Sequence, residues 1–244
     1  MKVLVVIPAR YGSTRFPAKV VASDTGKFLV QHTYERALCA KSVDDVLVAT
    51  DDKRVLDACE SFGGRCVMTS PDHQSGTDRI AEAAKDIDAE IIVNLQADEP
   101  EIDPQNIDSL IELLDGDKQA VMATLVAGFD DQTQVADPNV VKAIVDTSGR
   151  AIYFSRSPIP YDRDSAGVGD VGMYLRHLGI YAYRKDFLLE ITKRKQTPLE
   201  LAEKLEQLRV IENGFSIITG IVKQAWTGID TPEQYAEFVE RMKS

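Results

Sequence analysis

Cysteine is scarce and unpatterned: Cys39, Cys59 and Cys66 are the only three, an odd number without a C-x-x-C pair. This argues against a disulfide framework and leads us to expect a reducing, cytoplasmic setting. Histidine also numbers three, and neither type falls at zinc-ligand spacing. No uninterrupted apolar run approaches the roughly 18–20 residues of a membrane span, and the opening MKVLVVIPAR has too short an apolar run for a signal peptide, so no membrane partner is expected. Positive charge is in deficit, with 28 Lys+Arg against 39 Asp+Glu and a net charge of -11 over 244 residues. Sequence-independent binding to nucleic acid needs the opposite balance and is not expected. A phosphate-bearing small molecule stays open, because Mg²⁺ brings its own positive charge. The phosphate loop G-x-x-x-x-G-K-[ST], the dinucleotide glycine motif and G-x-S-x-G are all missing, which argues against a P-loop NTPase or a dinucleotide-dependent dehydrogenase and leaves covalent catalysis without support.

What is present is an ordinary globular composition, 44% hydrophobic and 27% charged. Short β-branched runs alternate with segments of helical period. Strands are expected at Val3–Ile7, Val46–Ala49, Cys66–Met68 and Ile91–Leu95, and helices at Val30–Cys39, Arg54–Phe62 and Thr77–Lys85, with Gly63-Gly64 stopping the second helix. A repeated βα pattern of this kind predicts an α/β fold with a doubly wound, mostly parallel sheet and a ligand site beyond the carboxyl ends of the strands. Further on, the pattern predicts a helix from Pro104 to about Leu114, strands near Ala120–Leu125 and Val140–Val145, one helix from about Pro198 to Glu212, and a last helix from Thr231. Between Arg150 and Tyr183, Pro158, Pro160, Gly167, Gly169 and Gly172 mark loops that would cover substrate. No repeat or linker divides the chain, so one domain of residues 1–244 is expected, with a lobe around residues 125–215.

The first strand runs into Pro8-Ala9-Arg10-Tyr11-Gly12-Ser13-Thr14-Arg15-Phe16-Pro17-Ala18-Lys19, a loop with three cations, a glycine and two hydroxyls at the ligand edge of a sheet. It reads either as a solvated basic loop or as a phosphate cradle, and its position favours the cradle. The fourth strand ends in Asn94-Leu95-Gln96-Ala97-Asp98-Glu99-Pro100, where Asp98 suits Mg²⁺ if one distant carboxylate joins it. Asp230 is the candidate partner, although from spacing alone Asp230-Thr231-Pro232-Glu233 reads more readily as a helix N-cap. His73-Gln74-Ser75-Gly76-Thr77 suits a helix N-terminus facing an anion or a base edge, or a plain cap. Alternation places His177, Gly179, Tyr181 and Tyr183 on one strand face, and a lone histidine there is more often structural. Glu203, Glu206 and Gln207, one helical turn apart, would face sugar hydroxyls or simply solvent. Lys142, a further cation near a strand, reads as structural ahead of the alternative that it approaches the phosphates.

Taken in order, IPARYGSTRFPAK (7–19), VATDD (48–52), MTSPDHQSGTDR (68–79), VNLQADEP (93–100), YFSRSPIPY (153–161), HLGIYAYR (177–184), EKLEQLR (203–209) and GIDTPE (228–233) resemble the cytidylyltransferases that activate 3-deoxy-manno-octulosonate (Kdo) for lipopolysaccharide synthesis. The resemblance spans nearly the whole chain. It implies that CTP and Kdo react to CMP-Kdo and pyrophosphate with Mg²⁺, in a homodimer. It assigns Arg10, Gly12, Ser13 and Lys19 to phosphates, Gln74 and Ser75 to cytosine, Asp98 and Asp230 to the metal, and Arg79, Gln96, Arg156, His177, Tyr181, Glu206 and Gln207 to Kdo, with Arg79 or Arg156 on the sugar carboxylate. Arg10, Lys19 and Asp98 would carry the catalytic charge. Ala97 departs from the family's usual glycine and would crowd the nucleotide or shift Asp98. The competing readings are a relative specific for 8-amino-Kdo or a sialic acid, against which His73-Gln74 speaks, and a non-catalytic nucleotide-binding relative, against which the retained Arg10, Lys19, Asp98 and Asp230 speak.

Overall fold

The computed structural model describes residues 1–13, 15–73, 75–223 and 228–243. The chain forms two compact units, Met1–Asp108 with Trp226–Ser244 and Ser109–Ala225. In chain order the first unit contributes β1 (Val3–Pro8), α1 (Leu29–Leu38), β2 (Asp45–Thr50), α2 (Lys53–Ser61), β3 (Cys66–Met68), α3 (Gly76–Ala84) and β4 (Ile91–Asn94). The unit boundary falls inside α4 (Pro104–Gly116). The second unit contains β5 (Met122–Gly128), α5 (Gln132–Ala136), β6 (Lys142–Val145), β7 (Ala151–Ser155), β8 (Leu175–Arg184), α6 (Lys185–Ile191), α7 (Pro198–Glu203), α8 (Gln207–Glu212) and β9 (Ile217–Val222). The last helix, α9 (Pro232–Lys243), belongs to the first unit again.

In the first unit β2 and β4 flank β1, and β3 lies beyond β2, all parallel. Val3 to Ile7 and Ile91 to Val93 are buried, because strands covered by helices on both faces need continuous rather than alternating apolar residues. The order reverses between β1 and β4, and a crevice opens at the carboxyl ends of such a pair of strands. Leu29 of α1 packs with Ile229, Tyr235, Phe238 and Val239, which anchors the start of α9. Gly63, at φ 75°, takes the left-handed conformation that ends α2, and Gly64 donates back to the Cys59 carbonyl at 2.9 Å.

In the second unit β5 pairs antiparallel with β8 and parallel with β9, while β6 joins β7 and β8 antiparallel. The mixed, mostly parallel α/β class expected from the sequence holds. Three expectations change. The stretch from Arg150 to Tyr183 is not loop throughout, since β7 and all but the last residue of the ten-residue β8 lie within it. β9, α5 and α6 were not anticipated. The single helix from Pro198 to Glu212 is two helices, broken where Lys204 turns left-handed at φ 55°. Lysine carries no stop signal, so the break is invisible to helical periodicity. Glu203, Glu206 and Gln207 therefore do not share one helix face: Glu203 closes α7 and Gln207 opens α8.

Candidate active site

Two clusters of side chains stand out, one in each unit. In the first, the loop after β1 folds back on itself as Ala18 donates to the Tyr11 carbonyl at 3.1 Å, and Ala18 adopts a left-handed φ of 58°. This turn delivers Lys19 into the unit with only 8% exposure. Its Nζ donates to Oδ2 of Asp98 at 2.6 Å and to Oδ1 of Asp230 at 3.1 Å. Asp98 follows β4, so the ammonium sits at the β1/β4 crevice.

Backbone links hold the two aspartates together, with Ile229 donating to the Asp98 carbonyl at 2.8 Å. The cap of α9 falls to Thr231, whose hydroxyl accepts from the Gln234 amide at 3.3 Å while Gln234 Oε1 accepts from the Thr231 amide at 3.1 Å. Asp230 is thereby released from capping, and its carboxylate meets Lys19 and, at 3.0 Å, Arg15. Arg15 is a neighbour of this cluster that the sequence reading did not single out; only its place among three loop cations hinted at it.

The remaining first-unit candidates lie around this point in the sequence with varied engagements. Arg10 is exposed and donates to the His73 carbonyl at 3.1 Å. Gly12 is exposed with open space where a side chain would be, and the Ser13 hydroxyl accepts from the Phe16 amide at 3.4 Å. Gln74 lies outside the described residues. Ser75 caps α3, accepting from the Asp78 amide at 3.0 Å and donating to its carboxylate at 2.8 Å. Gln96 reaches Asn94 Oδ1 at 3.3 Å. Arg79 is 0% exposed, and its guanidinium donates to Asp51 at 2.6 Å and Thr69 at 2.5 Å. Those two donors tie α3 to the ends of β2 and β3. Ala97 does not take a positive φ, so its methyl brings no backbone strain, and Thr33 holds its carbonyl at 3.1 Å.

The second cluster gathers Arg156, His177, Tyr181 and Gln207. The Arg156 amide donates to Glu203 Oε2 at 2.9 Å, its Nε to the Glu203 carbonyl at 2.7 Å and its Nη1 to the Pro138 carbonyl at 2.9 Å. Ser155 donates to the other Glu203 oxygen at 2.6 Å. The Tyr181 hydroxyl lies 3.4 Å from Gln207 Oε1, and Gln207 Nε2 is buried without a partner among the described residues. An orphaned buried donor of this kind is costly unless something accepts from it. Glu206 directly precedes α8. His177 and Tyr181 stay on one face, with ring centroids 5.4 Å apart. Burial alone pushes the His177 imidazole down to about 3, so the ring is neutral at ordinary pH.

Lys142 is structural, as its sequence context suggested. It is 0% exposed, and its Nζ donates to the carbonyls of Asp137 at 2.9 Å, Val140 at 2.7 Å and Arg156 at 2.6 Å. Burial pulls its pKa down, against the charges of Asp137 and Glu203, which raise it. Lys142→Met is expected to destabilise the protein by about 3 kcal/mol, because three carbonyls lose one charged donor together. A urea unfolding midpoint equal to that of the unaltered protein would remove this role.

Among the described residues no group of three or more His, Cys, Asp or Glu is arranged to hold a metal, and no helix is long and apolar enough to cross a membrane. A 3-deoxy-manno-octulosonate cytidylyltransferase of Geobacter metallireducens is 49% identical, covering 99% of this chain and 98% of its own length. One from Solibacter usitatus is 49% identical over 95% of this chain and 91% of its own. A CMP:2-keto-3-deoxy-manno-octonic acid synthetase solved in complex with CTP is 43% identical, with a TM-score of 0.93 over 100% of this chain and 99% of that one. The cytidylyltransferase family model runs from residue 4 to residue 219, from β1 through the Lys19 loop and β4 and on into β9, and the chain belongs to that family.

Proposed function

We infer that the chain transfers CMP from CTP to the anomeric hydroxyl of Kdo, releasing pyrophosphate. The observation that carries this reading is the convergence of Lys19, Asp98 and Asp230 at the edge where β1 and β4 part, in a chain alike from end to end to Kdo cytidylyltransferases. In the reaction the sugar oxygen forms a bond to the α-phosphorus and the bond to the pyrophosphate oxygen breaks, with the hydroxyl proton released to water. Positioning and charge neutralisation dominate such a step.

Mg²⁺ fits the residues present, since two carboxylate oxygens from distant segments already meet on one cationic atom, Lys19 Nζ. Asp98 and Asp230 would hold it, and when bound it supplies neutralisation of phosphate charge and acidifies an oxygen it coordinates. Lys19 and Arg10, with Ser13 and the Gly12 backbone, bind the triphosphate as point charge, fork and amide donors. Ser75 and Gln74 take the cytosine edge. In the second unit Arg156 answers the sugar carboxylate, while His177, Tyr181, Glu206 and Gln207 take its hydroxyls. The buried donor of Gln207 supports that part. Arg79, 0% exposed and paired through its two Nη atoms with Thr69 and Asp51, leaves the carboxylate to Arg156. The exposed Ile152, Met173 and Ile221 support a homodimer through the second unit. Three free cysteines, with Cys39 exposed, suit a reducing cytoplasm.

Pyrophosphate release from CTP and Mg²⁺ with Kdo, 8-amino-Kdo, N-acetylneuraminate or no sugar tests the reading. Release is expected with Kdo; silence with every sugar despite Mg-CTP binding would replace it with a binding protein. Arg156→Ala is expected to raise the KM for Kdo by about tenfold or more, the loss of a charged hydrogen bond. A rise in the KM for CTP instead would overturn the carboxylate assignment.

A further inference from the structure

Thr124 belongs to none of the sequence motifs and lies buried in the second unit. It stands in β5 where the pairing with β8 slips: Thr124 faces Tyr181, and the next residue, Leu125, faces Leu178. Gly179 and Ile180 are therefore extra on β8. Two extra residues preserve the alternation that one would invert, so His177 and Tyr181 keep a common face. The Thr124 hydroxyl meets two carbonyls of this bulge, Ile180 at 2.8 Å and Leu178 at 3.2 Å. The same oxygen lies 3.0 Å from Nε2 of His177.

The geometry favours one placement of the protons. A threonine hydroxyl has one proton, and a carbonyl can only accept. The proton goes to a carbonyl, so the oxygen offers the ring a lone pair, which only an N–H can satisfy. The opposite choice would set two carbonyl oxygens against hydroxyl lone pairs inside the protein, at the cost of unsatisfied buried acceptors. Phe154, with its ring centroid 4.8 Å away at 67°, packs against the imidazole from a second direction.

We propose that Thr124 is a positioning residue that holds His177 as the Nε2–H tautomer, so that its bare Nδ1 accepts a hydrogen bond from a hydroxyl of the sugar substrate. This inference rests on the Kdo reading of the second unit. A ring that stays neutral keeps the Nδ1 lone pair available at every working pH. It also repels a carboxylate, which has no proton to give, and so helps decide which end of a sugar acid faces this wall.

The test combines long-range proton–nitrogen spectra of ¹⁵N-histidine-labelled full-length protein with steady-state kinetics, on the unaltered enzyme, Thr124→Val and Thr124→Ser. His177 is expected to show a protonated Nε2 and a bare Nδ1 in the unaltered enzyme and in Thr124→Ser. Thr124→Val should lose that single-tautomer pattern and raise the KM for Kdo about tenfold, with the KM for CTP within about twofold, the signature of one lost hydrogen bond. Thr124→Ser should restore the KM. An Nδ1–H tautomer in the unaltered enzyme overturns the proposal without recourse to any variant, so misfolding of Thr124→Val cannot shelter it. Loss of the tautomer at an unchanged KM for Kdo overturns the sugar contact. An enzyme that releases no pyrophosphate with Kdo would refute the Kdo reading and the sugar contact with it, while the spectra still decide the Thr124–His177 bond.

Discussion

Asp98→Asn is expected to lower kcat by about 10²–10³, the cost of removing one charged group that acts on the transition state. Asparagine keeps the size of the side chain and one acceptor, so what is lost is the charge facing Lys19 Nζ at 2.6 Å. Asp230 alone would then balance both Lys19 and Arg15, which lie 3.1 and 3.0 Å from its two oxygens. In the metal reading one of two carboxylates is also gone, and Mg²⁺ typically takes only one or two. The measurement is pyrophosphate release at saturating CTP and Kdo across a Mg²⁺ titration. A defect rescued in part by high Mg²⁺ would point to weakened metal affinity, and near-normal turnover at saturating Mg²⁺ would take Asp98 out of the metal role. Lys19 keeps Asp230 as a second partner, so loss of the partly exposed Asp98 charge should lower the melting temperature less than Glu200→Ala does.

The largest effect on stability is expected from Glu200→Ala. Glu200 is 2% and Arg209 7% exposed, and they meet in a two-pronged pair, Nε to Oε2 at 2.8 Å and Nη2 to Oε1 at 2.5 Å. The carboxylate also accepts from the Thr197 amide at 3.2 Å and Gln196 at 3.3 Å, closing the capping box of α7. Removing it strands a guanidinium inside the protein, which costs about 3–5 kcal/mol. For a chain of this size each kcal/mol shifts the melting temperature by about 2–4 °C, so a fall on the order of 10 °C is expected by circular dichroism. Replacing both residues by methionine should recover most of it, since a buried pair often does no better than the apolar groups it displaces. A double variant as unstable as the single one would show that α7 and α8 need the charges themselves.

The same pair predicts a pH dependence. Burial alone would raise the Glu200 carboxyl, but the hydrogen bonds and charge of Arg209, with the Thr197 amide, hold it below the ordinary range. A depressed carboxylate adds stability that is complete above its unfolded value, about 4.3, and is lost as pH falls through the lower folded value. Acid unfolding of the unaltered protein should therefore be steeper below about pH 4 than that of the double methionine variant.

Local chemistry explains what could be read in advance. The runs Val3–Ile7 and Ile91–Val93 announce buried parallel strands, and a strand's carboxyl end is located by the strand itself, so the Lys19 loop and Asp98 fall at the ligand edge without further information. Ser75 before α3 and Gly63 after α2 follow the same rule, because caps and stops are decided within a few residues. Lys204 obeys no such rule. It turns left-handed between α7 and α8, where nearby Glu203 binds Ser155 and the Arg156 amide.

Partnership was the part that required folding. Composition, strand and helix periods and the ordered motifs determined the α/β class, the parallel βα half of the sheet, the phosphate-loop candidate and the cytidylyltransferase family. Only the tertiary structure decided that Thr231 rather than Asp230 caps α9, that Lys19 and Arg15 meet Asp230, that Arg79 turns inward to Asp51, and that a bulge in β8 brings Thr124 to His177. The division has one physical cause. Backbone periods and caps are set by neighbours along the chain, whereas the partner of a charge or of a ring nitrogen is set by which distant segments the packed core brings within hydrogen-bond reach.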